Sequence, residues 1–96
     1  MAMDATTRFD PYVFDTLMRD LVGHDRRPAA FLVYVALAAH GGWRAWSHVQ
    51  LAEHTGLAKR TVQEALRHLS ARGLVAVRRG TPVEPAVIEV LAPWRR

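Results

Sequence analysis

Apolar positions recur at helical spacing through most of this 96-residue chain and switch to weak alternation only near its end. Phe14, Leu17, Met18 and Leu21 follow a helical rhythm, and Asp10-Pro11 supplies a capping side chain followed by a residue pre-set for the first helical position. A first helix is therefore predicted over residues 11–22, ended by Gly23, with residues 1–9 loose. Asp25, Arg26, Arg27 and Pro28 open a second helix that runs to about Ala39 and is apolar nearly all round. Such a helix is buried on most sides, as the central core helix or against a second subunit as well. His40-Gly41-Gly42 stops it, and residues 43–46 read as a short extended link.

The second half is more sharply punctuated. Ser47 and Gln50 form a capping box, S-x-x-Q, and Trp46 and Leu51 flank it at the positions of a hydrophobic staple. A third helix thus starts at Ser47, buries Val49, Leu51 and Ala52, and closes at Gly56 near His54 and Thr55. A fourth helix is predicted over residues 59–72. Its inner stripe is Val62, Ala65, Leu66 and Leu69, and Lys59, Arg60, Gln63, Glu64, Arg67, His68 and Ala71 lie outside that stripe. Gly73 stops it. Residues 74–79 and 86–91 read as two strands around a turn, Gly80-Thr81-Pro82-Val83-Glu84-Pro85, with Pro93, Trp94, Arg95 and Arg96 left as a tail.

Two short helices joined by a glycine turn and followed by a hairpin are the order of a winged helix-turn-helix. The predicted fold is mainly α with a small β-hairpin wing, in one domain over residues 1–96. The N-terminal helices fall in 10–42, the helix-turn-helix in 47–73 and the wing in 74–91.

Charge placement sharpens this picture. Residues 1–39 hold four arginines against five aspartates, a net −1; residues 40–96 hold nine Lys/Arg against four glutamates, a net +5. The whole basic surplus lies in the half with the two-helix motif, as expected for a polyanion partner, although ordinary surface charge alone could produce it. The chain has no cysteine, which excludes disulfides and Cys-ligated metal sites and fits a cytoplasmic location. The N-terminus lacks an apolar signal core, and the longest apolar run is too short to span a bilayer, so no membrane partner is expected.

The start of the fourth helix breaks local stability rules. Ala58 stands at its capping position without an oxygen to offer, at about 1 kcal/mol relative to Ser or Asp. Lys59 and Arg60 then oppose the helix dipole, at roughly 0.3–1 kcal/mol each. A bound phosphate would reverse both effects, since it accepts from free helix amides and pairs with both cations. The alternative is that Leu57 packing fixes the turn and the charges sit in water. Gln63 and Arg67 share that face and suit adenine and guanine edges respectively. Thr61 could reach a phosphate or a thymine methyl, or back-bond locally. Glu64 could read cytosine, or pair with Arg60 or His68 four positions away. Arg78 and Arg79 stand at the wing's rising end, where arginines reach phosphates or the minor groove and also protect an edge strand. Ser47 and His48 open the third helix, where an amide can hold a phosphate, with capping the simpler role for Ser47.

No cofactor or metal is expected. His24, His40, His48, His54 and His68 show no ligand spacing, and there is no HExxH motif. No nucleophile triad, carboxylate pair or phosphate loop marks an enzyme. Trp43, Trp46 and Trp94 read as packing residues.

Residues 56–75, GLAKRTVQEALRHLSARGLV, resemble the recognition segment of GntR-type winged-helix repressors and of related small bacterial and phage helix-turn-helix proteins. The Gly56 turn, Thr61-Val62, Glu64-Ala65-Leu66, Leu69 and Gly73-Leu74-Val75 carry the likeness. It implies that Lys59, Arg60, Thr61 and Gln63 meet DNA with the wing alongside. The family usually has Ser where Ala58 stands and a basic residue where Gln63 stands, so its base preference does not transfer. No large effector domain follows the wing, so small-molecule regulation is not implied. The expected function is sequence-specific binding of double-stranded DNA, as a transcriptional regulator forming a homodimer through residues 11–39. The alternatives are a replication-initiation or plasmid/phage maintenance protein, and a winged helix used for protein–protein contact. Low Lys and high Ala/Arg hint at a GC-rich bacterial source.

Overall fold

A computed structural model describes residues 8–40, 43–78 and 86–94. Four helical segments and a three-stranded antiparallel sheet surround one apolar core. The N-terminal helix spans residues 11–24, most of it in two wide-turned stretches, Val13–Leu17 and Arg19–His24. Helix α1 follows over Pro28–Ala39, strand β1 over Trp43–Ala45, α2 over His48–Thr55, α3 over Lys59–Ala71, and strands β2 and β3 over Val75–Arg78 and Val87–Val90.

The N-terminal helix departs from the sequence reading in three ways. Its backbone bonds reach five residues back, as from the Met18 amide to the Val13 carbonyl. A turn wider than the ordinary 3.6 residues brings positions four apart nearly into line. Val13, Leu17 and Leu21 are accordingly buried in one row, while Phe14, Met18 and Val22 form a second, exposed row. Phe14 and Met18, which share the helical rhythm with Leu17 and Leu21, lie on the outside. Gly23 also fails to end the helix, which continues to His24 and closes with Arg26 in the left-handed region at φ 56°. There the Arg27 amide donates to the Leu21 carbonyl at 2.7 Å. Asp25, Arg26 and Arg27 belong to this closing turn, so the next helix opens at Pro28 rather than at Asp25.

Helix α1 is the central helix. Ala30, Phe31, Val33, Tyr34 and Leu37 are buried, and it packs against the N-terminal helix, α2, α3 and β3. The Tyr34 hydroxyl, at its buried centre, donates to the Leu91 carbonyl at 3.0 Å and so joins α1 to the end of the sheet.

Residues 43–46 are more than a link. β1 pairs with β3, Trp43 opposite Glu89 and Ala45 opposite Val87, giving the sheet order β1-β3-β2. Three residues are too few to show alternation, so the strand exists by its pairing alone. β2 and β3 pair antiparallel as expected for the wing, Val75 opposite Val90 and Arg78 opposite Val87. The expected wing turn lies outside the described residues. Trp94, read as tail, stacks on Tyr12 at 4.5 Å and donates from its indole N–H to Asp10 Oδ2 at 3.0 Å. Phe9, in the stretch expected to be loose, packs edge-on against Phe14. The architecture is that of a winged helix, mainly α with a small sheet.

Candidate nucleic-acid interface

Helices α2 and α3 meet around Gly56, which caps α2 in the left-handed conformation at φ 78°. A side chain is disfavoured there, which is the physical reason for glycine at this turn. The capping box of α2 is complete. The Gln50 amide donates to Ser47 Oγ and the Ser47 amide donates to Gln50 Oε1, both at 3.0 Å. Trp46 and Leu51 are both buried, as the staple reading requires.

Helix α3 begins differently. Ala58 is its N-cap and provides no side-chain hydrogen bond. Lys59 and Arg60 are exposed, and neither makes an ion pair among the described residues. Its buried stripe is Val62, Ala65, Leu66 and Leu69, as predicted. That stripe fixes the rotation of the helix, and Lys59, Arg60, Gln63 and Arg67 consequently fall on one outer side.

Gln63 and His48 are brought together across the two helices, with the Gln63 amide nitrogen donating to His48 Nδ1 at 3.2 Å. The bond uses one of the two amide hydrogens, so the other hydrogen and the carbonyl oxygen remain for a bidentate contact. His48 thereby orients Gln63, which spacing along one strand of sequence could not reveal. The Thr61 side chain makes no hydrogen bond among the described residues, so it does not back-bond as one alternative supposed. Glu64 is exposed and pairs with neither Arg60 nor His68. Arg78 is exposed at the end of β2, while Arg79 lies outside the described residues. Ser47 has its hydroxyl committed to the capping box.

The far end of α3 is anchored by a residue the sequence reading assigned to a helix opening. Asp25, 8% exposed at its side chain, accepts from His24 Nδ1 at 2.9 Å, from His68 Nε2 at 2.8 Å and from Arg72 Nε at 3.1 Å. The hydrogen bonds from His24 and His68 hold its carboxyl below the ordinary value of 3.8, with Arg72 adding to the effect against the opposing influence of burial. His68, expected outside the inner stripe of α3, is half-buried in this cluster.

His40, at the end of α1, and His54, in the last turn of α2, share a hydrogen bond between their Nε2 atoms at 2.9 Å. No group of three or more His, Cys, Asp or Glu residues is gathered for a metal among the described residues. No described helix is long and apolar enough to cross a membrane.

An exposed cationic helix start, a glycine turn before it and a paired wing behind it belong together in proteins that read duplex DNA. Comparison with known families agrees. The model of the family described as sugar-specific transcriptional regulator TrmB matches residues 29–94, more than half of the chain. The chain belongs to the TrmB family. It is thus a transcriptional regulator of the winged-helix kind that binds double-stranded DNA. The family is TrmB and not the GntR type that residues 56–75 resemble; a glycine turn, an apolar stripe and a Gly-Leu-Val approach to the wing are demands of the shared architecture. No curated protein and no solved structure matches the chain. The TrmB match takes in α1, the helix-turn-helix and the wing, and leaves the N-terminal helix and Arg26-Arg27 outside it.

Proposed function

We propose that α3 is the recognition helix, that Lys59 and Arg60 hold backbone phosphate at its start, that Gln63 reads a base edge in the major groove, and that Arg67 contacts the DNA from the same side of the helix. The observation that carries this reading is the uncapped, doubly cationic start of α3 beside a fully capped α2. Thr61 and Glu64 border the same contact, His48 positions Gln63, and Ser47 keeps its capping role. Arg78, with Arg79, supplies the wing's contact. We read the chain as a binding protein and not an enzyme, in keeping with a family of regulators. The likeness to GntR-type segments supports the assignment of the helix, and no base preference is drawn from it.

The test is a fluorescence-anisotropy titration with fragmented genomic DNA at two salt concentrations. Wild type should bind with a steep loss of affinity as salt rises. Lys59→Ala/Arg60→Ala should lower affinity by at least ten-fold and reduce the salt slope by about 1.8, for two phosphates at about 0.9 each. Weak binding that is equal in both proteins would overturn the assignment and favour a protein-contact module.

We also infer a two-fold dimer, as regulators commonly bind paired half-sites. Phe14, Met18, Val22 and Leu32 are each 40% exposed or more and lie on the N-terminal helix and the adjoining α1. Sedimentation at micromolar concentration checks it, and a monomer would refute this part. Met18→Asp/Leu32→Asp should dissociate the pair and weaken DNA binding without unfolding the chain.

A further inference from the structure

We infer that Arg27 and Arg67 together hold a DNA backbone phosphate, so that the contact surface runs past α3 onto the turn before α1. The inference rests on the assignment of α3 as recognition helix. Arg27, Glu64, Arg67, His68 and Ala71 line one shallow concavity on the flank of α3. Arg27 comes from the turn that closes the N-terminal helix, and Arg67 from the middle of α3. Forty positions apart in sequence, they face the same opening.

Neither arginine makes an ion pair among the described residues. Glu64, which lines the same opening, pairs with neither, and Asp25, two positions before Arg27, is committed elsewhere. Asp25 takes His24 on one oxygen and His68 and Arg72 on the other. Two guanidiniums facing one opening repel each other unless an anion sits between them, and a phosphate accepts from both forks.

The backbone offers a second, independent observation. Helix α3 closes through Gly73 at φ 71°, with the Gly73 amide bonded to Ser70 and the Leu74 amide to Leu69. This is the usual glycine-based end. The N-terminal helix closes through the equivalent left-handed position, yet Arg26 occupies it at φ 56°. An L-residue is disfavoured there, and local stability would place glycine. A cation kept against that preference, adjacent to Arg27 and exposed, is a departure of the same kind as the start of α3.

The spacing fits a duplex. Arg67 lies eight residues beyond Lys59, about 12 Å along the helix axis. The major groove is about 12 Å wide, so a helix seated in it by its N-terminal half brings its flank near a phosphate wall. Glu64 lines the same concavity and opposes an anion there, which gives the test a variant of opposite sign.

The experiment uses the full chain and a labelled mixed-sequence duplex, with affinity measured over a range of salt. Arg27→Gln should weaken binding several-fold and reduce the salt slope by about 0.9, the value for one phosphate. Arg27→Lys should retain the slope, and Glu64→Gln should tighten binding. Thermal melts of each variant separate lost contacts from lost folding, since all the altered side chains are exposed. An Arg27→Gln slope equal to that of wild type overturns the inference and leaves the recognition helix intact. Failure of wild type to bind any duplex overturns both.

Discussion

Helices α2 and α3 are neighbours joined by three residues, Gly56 to Ala58, yet their N-terminal ends are built on opposite principles. At α2 the Ser47 hydroxyl and the Gln50 side chain satisfy two helix-end donors reciprocally. At α3 a methyl group stands where the acceptor would be, and two cations follow it. The first end is complete within the protein, whereas the second has no side-chain cap. Placed a few residues apart in the same fold, they show that an unsatisfied helix end is a local choice and not a general looseness of this chain. The other end of α3 makes the same point, because Asp25 draws together His68, Arg72 and His24 there. A helix anchored at one end by internal charge and left open at the other can present the open end rigidly.

The sharpest way to break this contrast is to make the α3 start resemble the α2 start. Ala58→Asp should stabilise the fold by about 1 kcal/mol through a new cap. The same change should lower DNA affinity by ten-fold or more, since a carboxylate then occupies the phosphate's place. Calorimetry and anisotropy on one variant would show the two effects moving in opposite directions; tighter binding would refute the role assigned to this end.

Removing the anchor at the other end has the next largest effect. Asp25→Asn should cost about 2 kcal/mol, in line with hydrogen bonds to charged groups. Because the Asp25 carboxyl titrates below 3.8 when folded, its contribution is present above that value and disappears as pH falls through the folded value. Wild type and Asp25→Asn should therefore converge in stability under strong acid and differ at neutral pH, which denaturant melts across pH 2–7 would reveal.

Ser47→Ala attacks the completed end. It should lower stability by about 1 kcal/mol, which for a domain of this size is about 4–8 °C in Tm, with little change in DNA affinity. The smallest effect is expected at Arg26. Arg26→Gly should raise stability by up to about 1 kcal/mol by relieving the left-handed backbone, while slightly weakening DNA binding through the lost charge. A stability gain with unchanged affinity would separate the strained turn from the contact surface.

Signals that act within a few residues were legible in the chain. Ser47 and Gln50 are three positions apart, and the box they form is present with both bonds. Val62, Ala65, Leu66 and Leu69 are the buried stripe of α3, because a 3.6-residue period says which side of a helix is apolar. The same reasoning did not separate exposed Phe14 and Met18 from buried Leu17 and Leu21, since it assumes the ordinary period and the N-terminal helix turns more widely. β1 was missed because its three residues are held only by partners some forty positions later. Trp94 was read as tail for the same reason, its contacts being Tyr12 and Asp10 at the other end of the chain.

The sequence by itself determined the order of the helices and the two wing strands, the caps and turns of the helix-turn-helix, the inner stripe of α3 and the exposed cations at its start. All of these depend on backbone propensities and periodicities that reach no further than a turn or two. Only the tertiary structure decided that Asp25 serves His68 and Arg72, that His48 orients Gln63, and that Arg27 shares an opening with Arg67. Those pairings join residues fifteen to forty-seven positions apart. They are set by how α2 and the turn before α1 pack on α3, and no local rule of spacing carries that information.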